Sequence, residues 1–489
     1  MREKGLLQEK QEKPLFTLEV SNETTILYLV APFYTAGLSA CGVITPSPSP
    51  TLRPTATAQP SRLPDPNEVK ALLVQLVDVE KRAPGIVVGM IADDPQERWM
   101  VGYGRLSATG DRVPDGDTVF EIGSITKVFT GILLAQAVVN GEVKLDDPIS
   151  MYLPDGATAP EYEGRSITLL DLATHTAGLP RWPSNNGPVV GSNPFADYTM
   201  DQMYDFLSGY RLTRAPGSTY EYSNYGFGLL GNLLVRRTGQ ADYEALLLES
   251  IVHPLGMDST RIELTPEMLS HLATPHLNYS VATANYENPT LAGSGGIRST
   301  ANDMLKFLAA NMGMTDTELR PALQLENTPQ CPGEILAYIG LGWNLPRSGN
   351  GIHWHGGGTL GDTSFLVWDS ERKIGVVVLM NVYDGPNNYI GYSLMRGLPQ
   401  PFPVDPQVLA AYAGRYQYSD FMVTIRVDGA RIYLWVPGNQ EGELIAISEN
   451  QFYLRELYAE IAFYRNDRGE VDRMEVAGHG ETLEAKKVS

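Results

Sequence analysis

Ser124 and Lys127 stand three residues apart in Gly123-Ser124-Ile125-Thr126-Lys127, just ahead of the apolar residues Val128, Phe129, Ile132 and Leu133. Residues so spaced share one face of a helix. The hydroxyl of Ser124 and the amine of Lys127 can then come within hydrogen-bond range. The positive end of a helix at the same place stabilises a developing oxyanion. Alone, the pattern equally describes a capping serine with its lysine in solvent. A second group, Tyr222-Ser223-Asn224, follows about a hundred residues on. Its phenol and amide can enter one cleft from a turn, or simply make a loop polar. The third is His353-Trp354-His355-Gly356-Gly357-Gly358-Thr359. Its glycines let a ligand backbone lie close along a strand, or mark a bulge or a loose edge.

Holding these groups together requires a helix behind Ser124 and a sheet beneath residues 353–359. Helical periodicity runs over residues 124–140, stopped by Asn140-Gly141, and recurs at 169–174, 225–237 and 301–310. Residues 85–91 and 98–103 read as strands parted by the turn Asp93-Asp94-Pro95. Residues 364–368 and 374–380 read as buried strands joined by Asp369-Ser370-Glu371-Arg372. Strands at both ends of a region 69–398, with helices between, predict one sheet built from the two chain ends around a helical insert. That is an α+β fold. Pro399, Pro401, Pro403 and Pro406 then form a stiff linker. Past it, Val423/Ile425/Val427 and Ile432/Leu434/Val436 alternate at period two about Asp428-Gly429. Short runs at 443–447, 451–455, 460–465 and 472–477 continue the pattern, so residues 405–489 are expected to form a small antiparallel β-barrel.

In this order, Ser-x-x-Lys, Tyr-x-Asn and His-x-Gly resemble the serine β-lactamase and penicillin-binding superfamily. The nearest branch holds class C β-lactamases, D-aminopeptidases, DD-carboxypeptidases and β-lactamase-like esterases. The resemblance covers roughly residues 70–395 and includes Phe120-Glu121-Ile122-Gly123-Ser124, Leu145-Asp146-Asp147-Pro148, Leu172-Ala173-Thr174-His175-Thr176-Ala177-Gly178-Leu179-Pro180 and Gly295-Gly296-Ile297-Arg298-Ser299-Thr300. It implies a β-lactamase/transpeptidase-like antiparallel sheet flanked by helices. It implies Ser124 as the acylated nucleophile, with Lys127 and Tyr222 in proton transfer. Asn224 would hold the acyl-side carbonyl of the substrate or orient Lys127. His355, Gly357 and Gly358 would line the substrate, and the N–H groups of Ser124 and Gly358 would form the oxyanion hole. No metal or organic cofactor is implied. The barrel at 405–489 resembles lipocalin-like C-terminal domains attached to several such hydrolases.

One departure bears on substrate. Class C β-lactamases carry Lys-Thr-Gly where this chain has His355-Gly356-Gly357, so the cation and hydroxyl that hold a penicillin carboxylate are missing. Thr359 lies on the opposite pleat from Gly356. The expected substrate is therefore a small carboxylester, with a D-amino-acid or cell-wall peptide second and a β-lactam third. The non-enzymatic alternative is a penicillin sensor or binding module that is acylated without turnover.

The remaining features exclude more than they suggest. Ala292-Gly293-Ser294-Gly295-Gly296 approximates a nucleophile elbow but lacks the helix that must follow at once. His353 and His355 have no further ligands to complete a zinc site, and His175 reads as a hydrogen-bonded scaffold residue. With 489 residues, 43% hydrophobic, the chain is globular and multi-domain, and its net charge of −20 disfavours nucleic acid. Two cysteines build no disulfide framework. No apolar run reaches the roughly 18 residues that span a bilayer. Residues 26–40 are apolar and end in Leu38-Ser39-Ala40-Cys41-Gly42, which resembles a lipobox with cleavage before Cys41 and acylation of its thiol. Residues 1–24 depart from that pattern, with four basic and five acidic side chains. The resulting division is a signal segment 1–41, a Pro/Ser/Thr-rich spacer 42–68, a hydrolase region 69–398 and the barrel. The protein is expected outside the cytoplasm, touching a membrane only through that anchor, with Cys331 a lone thiol.

Overall fold

The computed structural model describes residues 63–488 except 94–96, 108–109, 187–192, 194, 334–336, 347–348, 350, 399–401, 419–421, 437–440, 455–458 and 479–480. The apolar stretch 26–40, Cys41 and most of the proline-rich spacer lie outside the described residues. Helix α1 (Pro66–Val74) starts where the Asp65 carboxylate accepts the Asn67 N–H, with proline at its first position. Strands β1 (Gly85–Ile91) and β2 (Arg98–Gly104) follow, then the short β3 (Phe120–Glu121). Helices α2 (Thr126–Val139) and α3 (Asn224–Thr238) form the middle of the chain, with β4 (Arg298–Ser299) and α4 (Ala301–Asn311) after them. The late strands are β5 (Cys331–Pro332), β6 (Tyr338–Ile339), β7 (Asn344–Leu345), β8 (Ile352–Gly358), β9 (Thr363–Asp369) and β10 (Ile374–Met380), followed by helix α5 (Asn387–Met395).

The main sheet has the order β2-β1-β10-β9-β8-β7-β6-β5. The two chain ends meet in its centre, where β1 pairs antiparallel with β10 from Ile86↔Met380 to Ile91↔Gly375. Alternate residues of β10 feed different cores. Val376, Val378 and Met380 pack with α1 and α5 on one face, while Val377 and Leu379 pack with α2, α3 and α4 on the other. Because helices cover both faces, residues 374–380 form an unbroken apolar run, as a strand buried on both sides requires. Helix α2 is buried on almost every side, so it is a core element that holds its polar residues away from bulk water.

After the linker the chain forms helix α6 (Pro406–Tyr412) and then β11 (Gly414–Gln417), β12 (Met422–Asp428), β13 (Arg431–Trp435), β14 (Gly442–Ala446), β15 (Gln451–Leu454), β16 (Ala459–Arg465), β17 (Val471–Gly478) and β18 (Glu481–Lys487). These eight strands close into a barrel in sequential order, sealed by Tyr416↔Lys487 and Gln417↔Lys486. Closure leaves no open edge. The barrel has its own core, in which Tyr412 of α6 stacks on Phe463 at 4.4 Å. The region expected as strands from residue 405 therefore opens with a helix. The sealing strands β11 and β18 are the two that alternation did not reveal, one being four residues long and the other rich in Glu and Lys.

Cys331 is buried and disulfide-bonded, which corrects the expectation of a lone thiol. The only other cysteine of the sequence, Cys41, lies outside the described residues. Among the described residues no helix is long and apolar enough to cross a membrane.

Candidate active site

Ser124 sits in a tight turn, Gly123–Ile125, that runs directly into α2. Gly123 has φ +49, and a Cβ placed on it would lie 2.6 Å from the Gly358 nitrogen. Only glycine accommodates both that backbone and that approach. The turn thereby brings the Ser124 backbone against the end of β8. Ser124 makes no capping hydrogen bond, so the bland capping reading of Ser-x-x-Lys does not hold.

Lys127 has no exposed surface. Its Nζ lies 3.0 Å from Ser124 Oγ, 2.7 Å from Asn224 Oδ1 and 2.7 Å from the Ser294 carbonyl oxygen. Burial drives its pKa well below the ordinary lysine value, since no carboxylate stands among these partners to repay desolvation of an ammonium. A neutral amine fits the same three neighbours. Its two N–H bonds serve Asn224 and Ser294, and its lone pair faces the serine hydroxyl.

Asn224 is the first residue of α3 and nearly buried. Ser223 caps that helix, its Oγ accepting the Gly226 N–H at 2.8 Å. Tyr222 therefore lies one residue outside a fixed helix start, and the motif is more than a polar loop. The ring of Tyr222 is half-buried, with Lys127 Nζ 4.7 Å and the Arg181 guanidinium carbon 5.1 Å from its centroid. His175 packs under it at 4.3 Å between centroids. The segment 175–181 is stitched to this turn: His175 Nδ1 accepts the Ser223 N–H, and the Arg181 carbonyl accepts the N–H groups of Asn224 and Tyr225. Burial holds the His175 imidazole neutral, with Lys127 as the next cause.

His355 is buried, with Nδ1 2.7 Å from the Gly356 carbonyl oxygen. Its pKa falls to about 3, mainly by desolvation and then by the nearby Lys127. It brings no positive charge at neutral pH. Gly357 lies where a Cβ would come within 2.0 Å of the Ile122 carbonyl oxygen, while Gly358 is exposed with nothing within 4 Å. Pairing with β9 is regular through all seven residues of β8, so the glycines make no bulge. On its other side β8 meets β7 only at Asn344↔Trp354. Among the described residues, 355–358 thus keep an unpaired strand edge along which an acyl chain can lie.

The structure brings Ser124, Lys127, Tyr222, Asn224, His355, Gly357 and Gly358 into one neighbourhood; Cys41 lies outside the described residues. Ser124, Tyr222 and Gly358 reach solvent, whereas Lys127 and His355 do not. The scaffold reading of His175 holds: it is buried, accepts the Ser223 N–H and lies under Tyr222. Two participants escaped the sequence reading. Arg181, a single arginine after Leu179-Pro180, carried no motif. The Ser294 carbonyl is a backbone atom that no side-chain pattern reveals. The Ser294 hydroxyl itself is buried and donates to the Leu291 carbonyl at 2.8 Å, so it is not a nucleophile. His353 stacks on Trp368 at 4.1 Å, and among the described residues no three potential metal-ligating side chains converge.

A family model described as Beta-lactamase matches residues 69–392. The D-alanyl-D-alanine-carboxypeptidase/endopeptidase AmpH of Escherichia coli (strain K12) is 32% identical over 330 residues, covering 62% of this chain and 83% of that protein. A crystal structure of a beta-lactamase/D-alanine carboxypeptidase from Yersinia pestis, complexed with citrate, superposes with a TM-score of 0.55 at 27% identity. It covers 64% of this chain and 94% of that one. The octameric penicillin-binding protein homologue from Pyrococcus abyssi shares the fold at 22% identity, with a TM-score of 0.60 over 86% of this chain and 100% of that one. With the model matched over more than half of its length, the chain belongs to the β-lactamase family of serine hydrolases.

Proposed function

We propose that the protein hydrolyses acyl bonds through a covalent acyl-enzyme on Ser124. The observation that carries this reading is the fully buried Lys127 amine, held 3.0 Å from Ser124 Oγ with no carboxylate among its hydrogen-bond partners. Its lone pair takes the serine proton as Oγ attacks the acyl carbon. The oxyanion that forms is held by the N–H groups of Ser124 and Gly358. Lys127 passes the proton to Tyr222, which delivers it to the leaving group as the scissile bond breaks. Water then attacks the ester by the reverse proton path and frees Ser124. His175 and Arg181 keep the Tyr222 ring in place.

The first substrate class is a D-alanyl peptide. The name of AmpH supports it, and so does Arg181, whose charge beside Tyr222 can meet the carboxylate of a D-alanine leaving group. The second is a small carboxylester, favoured by the neutral His355 and by the absence of any side chain at Gly356. Rates on a D-alanyl anilide, a short-chain nitrophenyl ester and nitrocefin separate these. The peptide reading predicts the highest kcat/KM on the anilide, and faster cleavage of the ester would replace it with the second reading. We also place the protein outside the cytoplasm. Cys331 is in a disulfide, a bond that belongs outside the reducing cytoplasm.

A further inference from the structure

Two carboxyl groups outside the catalytic set lie between the strand that delivers Ser124 and the turn that follows Gly358. Glu121 ends β3, and Asp362 stands in the turn between β8 and β9. Asp362 Oδ2 accepts the Glu121 N–H at 2.9 Å. The turn itself is fixed by Thr359, whose N–H donates to the Asp362 carbonyl at 2.9 Å and whose Oγ1 accepts the Asp362 N–H at 3.2 Å. Glu121 Oε1 accepts the Tyr286 N–H at 2.7 Å. Both acids are buried, at 3% and 0% exposure. Each keeps one oxygen, Glu121 Oε2 and Asp362 Oδ1, with no hydrogen-bond partner. Arg298 of β4 is the cation beside them, 3.6 Å from Glu121 Oε1, and it also donates to the carbonyls of Ile262 and Tyr286. Two full negative charges at this depth exceed what one shared guanidinium compensates. A single proton held by the pair removes one of the two charges and makes one carboxyl a donor.

We propose that Glu121 and Asp362 hold one shared proton and act as a positioning pin that keeps the Ser124 turn aligned with the Gly358 N–H. The inference rests on the reading of Ser124 as nucleophile and Gly358 as oxyanion donor. The contacts it controls are close ones: Ser364 Oγ donates to the Ile122 carbonyl at 2.8 Å, and Gly123 abuts Gly358. Displacement by about 1 Å at such a site costs on the order of 100-fold in rate.

Burial raises the pKa of both acids, and the charge of Glu121 raises Asp362 further. Arg298, the Thr359 hydroxyl and the N–H bonds pull the other way without reversing the direction. The Tyr286 phenol, itself raised by burial, adds no charge in the working range. The pair therefore holds its proton to higher pH than an ordinary carboxylate does and loses it as pH rises. Losing it sets two buried carboxylates against each other and pushes the turn from the strand, so kcat falls as pH rises. The step that frees the Lys127 amine has the opposite slope.

Asp362→Ala and Asp362→Asn test this. The alanine variant is expected to lose about 100-fold in kcat with KM changed less than about three-fold. The asparagine amide oxygen can accept the Glu121 N–H without titrating, so it restores kcat and removes the fall at high pH. At neutral pH, the infrared difference between wild type and Asp362→Asn should show the loss of one protonated-carboxyl band. That readout needs no activity and holds even where the alanine variant does not fold. An absent band, or a fall of kcat with rising pH that is unchanged in Asp362→Asn, overturns the pin. A Ser124→Ala variant that still turns over, with the band present, would sink the catalytic reading instead.

Discussion

In the proposed mechanism Lys127 is the residue on which the chemistry turns, because its burial and its partners set its charge. Removing the amine by Lys127→Ala is expected to lower kcat by about 10²–10⁴-fold, the usual worth of a general base, with a smaller effect on KM. The pH profile carries the same information. Only the neutral amine accepts the serine proton, so kcat/KM rises with pH through the pKa of Lys127. Because that pKa is driven well below the ordinary lysine value by desolvation, the rising limb should sit far on the acid side of an ordinary lysine titration. A limb centred at the ordinary value would mean that the amine is solvated during turnover. Ser124, Lys127, Tyr222 and Asn224 were legible as residues because their spacing is itself chemical. What the sequence could not disclose was which partner each would choose. Asn224 had two candidate roles, and its Oδ1 is 2.7 Å from Lys127 Nζ.

At the scale of elements, the site depends on glycines that let backbones approach. Gly357 of β8 leaves no room for a methyl group between the strand, the Ile122 carbonyl and Ser364 Oγ. Gly357→Ala is expected to lose about 1–3 kcal/mol of stability by overpacking and most of its kcat, read by chemical denaturation and steady-state kinetics. Full activity at wild-type stability would show that β8 shifts freely. The long elements were readable because period and stop signals agree: residues 124–140 end at Asn140-Gly141, as α2 does, and residues 374–380 match β10. Short elements were not. Strands β5, β6 and β7 are two residues each, too brief for any period, and only tertiary pairing makes them strands. Helix α6 was hidden because its Pro406 start continues a proline series that reads as linker.

For the whole molecule, the hydrolase cores and the barrel core share no buried residues. Among the described residues, links between them include the Phe402 N–H, which donates to the Ala446 carbonyl at 2.9 Å, and Arg396, which lies 4.7 Å over the Tyr453 ring. Calorimetry should therefore resolve two transitions. A covalent ligand on Ser124 should raise only one of them. A single transition that moves as a unit would mean that the barrel is energetically part of the hydrolase. The α+β layout followed from strands at both ends of residues 69–398, since a sheet closes on its own termini most simply when both ends are apolar. The barrel was expected and is present, but its two sealing strands were not legible, because one is four residues long and the other carries Glu and Lys at most of its positions.

The most direct test is to mix the protein with a slowly hydrolysed acyl substrate, quench within the first turnover and map the modified residue by mass spectrometry. The predicted result is one acyl group on Ser124, absent from Ser124→Ala and formed much more slowly in Lys127→Ala. Substrate turnover with the acyl group on another residue, or with none formed at all, would contradict the account.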